Sequence, residues 1–120
     1  MKLALYSAAL LLSAAASPSA WAQSPAAVRR AAYECWANGQ ARMLLNFTIK
    51  SAADYLDSDN KPGKYRYDAA TGRITFQGGG LDGAMPAGFI AVYHEPKGHP
   101  TVSFRSPRGA EAAFCESVGR

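Results

Sequence analysis

A chain of 120 residues with 13 Lys and Arg against 9 Asp and Glu, a formal net charge of +4 and 48% apolar content is sized and composed like one small globular unit. Its basic residues are scattered, and Arg29-Arg30 is the only adjacent pair, so no basic block is present to hold nucleic acid through many phosphate contacts. A nucleic-acid partner is therefore not expected.

Residues 1–22 have the three-part layout of a secretory signal: a positive charge at Lys2, an apolar stretch from Leu3 to about Ala16, then Ser-Pro-Ser-Ala-Trp-Ala. Ala20 and Ala22 flank Trp21 in a cleavage pattern that places the mature start at Gln23, with a single β-rich domain over residues 23–120. The apolar stretch is short for a bilayer span, so the expectation is a cleaved leader, no membrane span and a periplasmic or secreted protein. Loss of Lys2 with the leader leaves 12 basic against 9 acidic residues, a net charge of +3.

Residues 25–37 read in two ways. A helix can open at Ser24-Pro25 and stop at Gly39, or a strand can carry Tyr33 and Cys35 and turn through Asn38-Gly39, a strong hairpin signal. The strand from about Ala32, after a short helical turn, is the favoured reading. From Ala41 to Lys50 the pattern has period two, with Met43, Leu45, Phe47 and Ile49 on one face, which predicts one strand. Residues 51–63, with three Asp, one Asn and Pro-Gly, predict an exposed loop with one helical turn near Ala52 to Leu56; loops of this length are disproportionately functional.

Lys64 to Asp68 and Arg73 to Gln77 alternate again and predict a hairpin closed by Asp68-Ala-Ala-Thr-Gly72. Phe89 to Glu95 and Thr101 to Arg105 predict a second hairpin through Pro96-Lys-Gly-His-Pro100. Residues 110–118 read as either strand or helix. As a strand, they set Cys115 beside Cys35 and tie the last strand to the first. The fold class expected is mainly β, a small antiparallel meander barrel or curled sheet of six to seven strands whose edges are joined or pinned, with a short N-terminal helix as the variant.

In an exported protein of this size two cysteines imply one bridge, Cys35 to Cys115. Closing a loop of 79 intervening residues lowers the entropy of the unfolded chain, a stabilisation of about 4 to 5 kcal/mol in the chain-entropy model.

Several motifs invite a chemical reading. Gly78-x-Gly80-x-x-Gly83 after a strand has dinucleotide-binding spacing, but Pro86 and Gly88 leave no room for the helix that such a site needs, and the reading is a flexible loop between antiparallel strands. Asp57-Ser-Asp59-Asn60-Lys-Pro-Gly63 opens like a calcium loop, yet Lys61 and Pro62 stand where an oxygen ligand and a Gly are required. His94 and His99 do not converge with Glu95 by local geometry, so no metal and no cofactor are expected. Asn46-Phe-Thr48 matches a glycosylation acceptor but lies inside a predicted strand and reads as accidental. Trp36, Tyr65, Tyr67 and Tyr93 form either a binding face or strand-pairing core, since tyrosine joins an apolar ring to a polar tip.

The stretch GKYRYDAATGRITFQGGGLDG, residues 63–83, with Tyr33-x-Cys35 near the start and Cys115 near the end, resembles a recurrent pattern of small exported bacterial proteins to which no activity is attached. The resemblance implies an exported β-rich domain with a terminal bridge and carries over no substrate or catalytic residue. The function expected is that of a monomeric, non-catalytic binding or accessory protein, an inhibitor for example. Its partner is a protein or small ligand, held through a strand face, His94, or the loops at 51–63 and 78–88. The alternatives are a small envelope hydrolase pairing His94 with a carboxylate such as Asp54 or Asp57, and a structural or adhesive surface protein.

Overall fold

A computed structural model describes Ser24–Gly119; the expected leader over residues 1–22 and the mature start at Gln23 lie outside these residues. Strands β1 (Ala31–Ala37), β2 (Gln40–Ala41), β3 (Phe47–Ile49), β4 (Asp54–Leu56), β5 (Pro62–Asp68), β6 (Arg73–Gln77), β7 (Ile90–His94), β8 (Thr101–Arg105) and β9 (Glu111–Val118) form one antiparallel sheet. Eight of them follow one another around a closed barrel, and β2 lies outside it, paired only with the end of β1. Closure runs through β1 and β9, where Cys35 stands opposite Cys115 and the two are disulfide-bonded. The meander barrel is as expected, with eight wall strands in place of six or seven.

The difference in count has local causes. Asn38 and Gly39 both take positive φ, 54° and 76°, and turn β1 tightly into β2. β1 must pair with β2 at its end and with β3 at its start, so the chain leaves and re-enters the wall between them. It does so in a 3₁₀ turn at Met43–Leu45, which breaks the expected strand 41–50 in two. Arg42 N–H donates to Cys35 C=O (2.8 Å), and Cys35 N–H donates to Asn46 Oδ1 (2.9 Å), so a side-chain amide completes the ladder where the strand is interrupted.

The expected loop 51–63 contains β4. Lys50 and Ser51 N–H both donate to Asp54 C=O, and Ser51 Oγ donates to the Asp54 carboxylate (2.8 Å) while accepting Asp54 N–H (3.1 Å). That tight turn brings Asp54–Leu56 up against β3 as a strand instead of a helical turn. Both ambiguous ends are strands, and no helical turn precedes β1 among the described residues.

An eight-stranded barrel is just wide enough for its own side chains. Here Phe76 is the hub: Tyr55 and Phe47 pack edge-on to it at 5.0 and 5.7 Å, Phe104 stacks at 6.5 Å, and Tyr33 stacks on Phe47 at 5.0 Å. Ile49, Tyr65, Ile74, Tyr93 and Val102 fill the remaining interior. Burial of this alternating inner face stabilises the fold at about 25 cal/mol per Å² of apolar surface removed from water.

Candidate functional site

The five tyrosines of the described chain turn their rings into the barrel and use their hydroxyls at its mouths. At one end, segment 24–30 crosses the opening with Val28 buried. Tyr67 O–H donates to Pro25 C=O (2.6 Å), Tyr33 O–H to Arg29 C=O (2.7 Å) and Tyr65 O–H to Ser51 C=O (2.6 Å). Tyr93 O–H donates to the Glu95 carboxylate and accepts Arg29 N–H (3.2 Å). Burial, reinforced by the Glu95 bond, pushes the Tyr93 phenol up to about 12. Burial also raises Tyr33, with Tyr93 and Glu95 adding to the effect, and it is the first cause of the upward shifts of Tyr55, Tyr65 and Tyr67.

The opposite mouth joins the two regions the sequence singles out. Tyr55 O–H donates to Gly78 C=O (2.5 Å) and its oxygen accepts Leu81 N–H (3.1 Å), which seats Leu81 as a stopper in the barrel. The buried Asp57 carboxylate binds both sides of the joint. Its Oδ1 accepts Asp59 N–H (2.8 Å) and Lys61 N–H (2.9 Å) from its own turn, and its Oδ2 accepts Gly80 N–H (2.8 Å) from the glycine loop. These donors, Lys61 first, hold the Asp57 carboxyl below the usual carboxylate range. The calcium-like opening is thus a loop closed on its own backbone.

Two of the glycines here, Gly63 and Gly79, answer to Tyr55. A Cβ on Gly63 would lie 2.5 Å from a ring carbon of Tyr55, and a Cβ on Gly79 would run into its hydroxyl. A dinucleotide turn has glycines so that the pyrophosphate can approach; here a Cβ on Gly80 would meet the Asp57 side chain, Gly78 and Gly83 take positive φ in open space, and Gly63 on β5 and Gly79 in the loop make room for Tyr55.

Beside this mouth the barrel wall has a gap. β6 pairs with β5 over its whole length but with β7 only at Arg73↔Val92 and Ile74↔Ala91. Since Gly72 C=O accepts Tyr93 N–H (2.7 Å), the even-numbered residues of β6 aim their backbone groups at β7. After Ile74 the next is Phe76, and among the described residues its N–H and C=O have no backbone partner on that side. Phe89, which would continue the register, donates its N–H to Pro86 C=O (3.2 Å).

The result is a cleft of about 150 Å³ lined by Ile74, Phe76, Leu81, Met85, Phe89 and Phe104, with Arg73 and Thr75 at its rim. Those two rim residues also border an outer groove of about 270 Å³ with Arg66, Tyr67 and Asp68. Among the described residues the single salt bridge is Lys64–Asp54 (2.6 Å), so neither Arg66 nor Arg73 has a carboxylate in ion-pairing range.

His94 projects from the outer face of β7. Its Nε2 lies 2.9 Å from Ser103 Oγ, and Ser103 donates to the Glu111 carboxylate at 2.6 Å. With its proton given to Glu111, Ser103 Oγ accepts from Nε2–H of His94. Serine therefore stands in the middle of the chain and is wholly buried, whereas nucleophilic catalysis needs an accessible serine whose proton the histidine accepts. Burial, then Arg105, lowers the His94 pKa, with Glu111 opposing. Asp54 and Asp57 are not its neighbours: β5 and β6 lie between β4 and β7, about 14 Å of wall at ~4.8 Å per strand.

The candidate residues therefore separate. Tyr65, Tyr67 and Tyr93 share the interior, with Tyr67 edge-on to Tyr93 at 5.9 Å, whereas Trp36, 37% exposed on β1, and His94 are on the outer surface. The disulfided Cys35 and Cys115 are buried at the seam. Among the described residues no group of three or more His, Cys, Asp or Glu is placed to hold a metal ion, and no helix is long and apolar enough to cross a membrane. Arg66 and Arg73 belong to no motif, although the alternation around Tyr65, Tyr67 and Ile74 places both outward. Comparison with protein-family models, with curated proteins and with solved structures finds no match to this chain.

Proposed function

We propose that the chain is an exported, non-catalytic binding protein, periplasmic or secreted after cleavage before Gln23, that engages a protein partner at the mouth built from residues 57–61 and 78–88. The observation that carries this reading is the joining of these two loops through Tyr55 and Asp57, which gives a rigid surface on an interior already filled by its own aromatic rings. Loops held in one conformation lose little entropy on association, so contacts made there go largely into affinity. A filled interior turns recognition outward: the 150 Å³ wall cleft is well below the usual 300–1,000 Å³ of small-molecule pockets. The disulfide suits an oxidising compartment. A protein that inhibits an enzyme works in this way, by presenting a preformed loop surface.

Native mass spectrometry of the protein isolated from its host without reductant tests the reading. The expected spectrum contains a species heavier than residues 23–120 by the mass of one protein partner, and Asp57→Ala, which unties the loops, depletes it. A spectrum of the bare, oxidised monomer alone under every gentle isolation would overturn the proposal.

A further inference from the structure

The outer face of the β1–β9 seam carries charges that the chain does not neutralise by itself. Glu34 stands directly opposite Glu116, and both are exposed. Like charges at such positions oppose strand pairing. Among the described residues the single salt bridge is Lys64–Asp54, so no basic side chain stands within ion-pairing range of either glutamate.

Glu34 is also the charged end of an apolar groove. About 220 Å³ of open space runs beside β1, lined by Cys35, Trp36, Ala41, Met43 and Asn46 as well as Glu34. Trp36 at 37% and Met43 at 71% expose apolar surface on the same groove, and such surface rimmed by polar groups marks a site of interaction. The 3₁₀ turn that carries Met43 is fastened to β1 by the bond from Arg42 N–H to Cys35 C=O, and Arg42 itself does not border the groove. A second groove of about 170 Å³ shares Glu34 and Asn46 and extends to Asp57, Ser58 and Asn60, so this surface is continuous with the mouth described above.

An apolar wall that ends in two carboxylates selects a side chain with a long stem and a cationic head. Arginine meets it best, because a guanidinium stacks on an aromatic face and offers a fork of N–H donors to carboxylates. Residues directly opposite on paired strands have Cβ atoms about 5 Å apart, so one guanidinium reaches both acids. A second copy of this chain, docked through the same patch about a two-fold axis, would set these glutamates against each other. An anionic lipid surface is repelled by them.

We infer that the groove beside β1 takes an arginine side chain of the protein partner, its stem along Trp36 and Met43 and its guanidinium at Glu34 and Glu116. This rests on the binding reading above and names the residue that the partner contributes beside the mouth.

The free protein gives the first test. Glu34→Lys sets opposite charges across the seam, so its Tm at low salt should rise by roughly 1–5 °C, a gain that about 1 M salt screens away. An unchanged or lowered Tm would show that the two glutamates do not repel and would overturn the inference. The second test is amide NMR of the isotope-labelled, disulfide-intact protein with acetyl-Thr-Leu-Arg-Leu-Thr-amide and its Arg→citrulline counterpart, which keeps the shape and loses the charge. The Arg peptide should shift the resonances of Glu34–Trp36, Met43–Asn46 and Glu116. Its affinity should fall at least fivefold on Glu34→Lys, on Trp36→Ala and on replacement of its arginine by citrulline. Glu34 is exposed, so its variant keeps the fold even where Trp36→Ala does not. Equal binding of the citrulline peptide, shifts confined to another face, or no shift with the Arg peptide at millimolar concentration would each overturn the inference. Capture by anionic phospholipid vesicles that Met43→Ser abolishes would also overturn it and assign the apolar turn to a lipid surface. If native mass spectrometry finds a partner that Glu34→Lys leaves undisturbed, the arginine site falls and the binding reading stands. If the wild-type protein carries no partner, the binding reading falls, and the peptide titration decides the groove on its own.

Discussion

Replacing Tyr55 by Phe removes one oxygen from the barrel and leaves the ring packed at 5.0 Å against Phe76. The hydroxyl accepts from Leu81 N–H and donates to Gly78 C=O, and the two amide groups fare differently without it. Gly78 is exposed, so its carbonyl finds water. Leu81 is 5% exposed, so its N–H stays buried without an acceptor, at about 1–3 kcal/mol. The loop can escape that penalty only by withdrawing Leu81 from the core, which forfeits burial of a leucine side chain, about 1.5–3 kcal/mol. Both routes converge on a loss of about 2 kcal/mol. For a domain of about 100 residues this lowers Tm by roughly 8–16 °C, at 4–8 °C per kcal/mol. Thermal unfolding by circular dichroism reads the loss, and hydrogen exchange at the Leu81 amide tells the routes apart, since only withdrawal exposes that amide to solvent. A Tm within about 2 °C of the parent with unchanged Leu81 exchange would refute the claim that Tyr55 holds the glycine loop.

The remaining predictions probe the seam, the interior and the joint. Replacing Cys35 and Cys115 by Ala reopens a link spanning 80 positions and should lower stability by about 4 to 5 kcal/mol in urea titrations, whereas a loss under about 1 kcal/mol would mean that the β1–β9 ladder holds the seam by itself. The buried phenols have folded pKa values above their unfolded values, so they favour the fold fully below pH ~10 and that contribution disappears as pH rises through about 12 for Tyr93. Phenolate absorbance should therefore appear together with loss of the far-ultraviolet signal, and ionisation of all five tyrosines in a folded barrel would contradict the geometry. Asp57 has the opposite sign: its folded pKa is depressed, so it stabilises above the unfolded carboxylate value and that contribution fades as pH falls through the folded one. Asp57→Ala should then destabilise more at pH 7 than at pH 3, and an equal effect at both would show that the carboxylate charge is idle.

The barrel was legible where a local rule and a tertiary need coincide. Tyr65, Tyr67, Ile74 and Phe76 alternate because one face of their hairpin is core, and Asn38-Gly39 turns because both residues tolerate positive φ. Legibility ended where closure of the barrel overrode the local pattern. Met43 continues the alternation of Leu45, Phe47 and Ile49, yet it lies exposed on a 3₁₀ turn because β1 needs two partners along one edge. β4 was hidden in a polar loop because three residues carry almost no periodicity, and the Ser51–Asp54 turn that forms it is made by side chains. The site was harder to read for the same reason. That Asp57 reaches Gly80, 23 positions away, and that Phe76 lacks a strand partner are properties of the closed sheet, invisible in the spacing of residues.

Filling the interior with tyrosines has a directional consequence. Each ring gains by burial but carries a hydroxyl that must find a partner, and a barrel wall whose backbone groups are already paired has few to offer. The partners are therefore at the mouths, in Pro25, Arg29, Ser51, Gly78 and Leu81, so the same residues that complete the core also fasten the chain across both ends. A barrel closed in this manner cannot recognise anything through its lumen. Beside one mouth the ladder between β6 and β7 stops short over Thr75 to Gln77, directly against the loop that Tyr55 holds in place. The hydroxyl that holds that loop also seats Leu81 in the barrel, which is why its removal bears on the loop and on the core together.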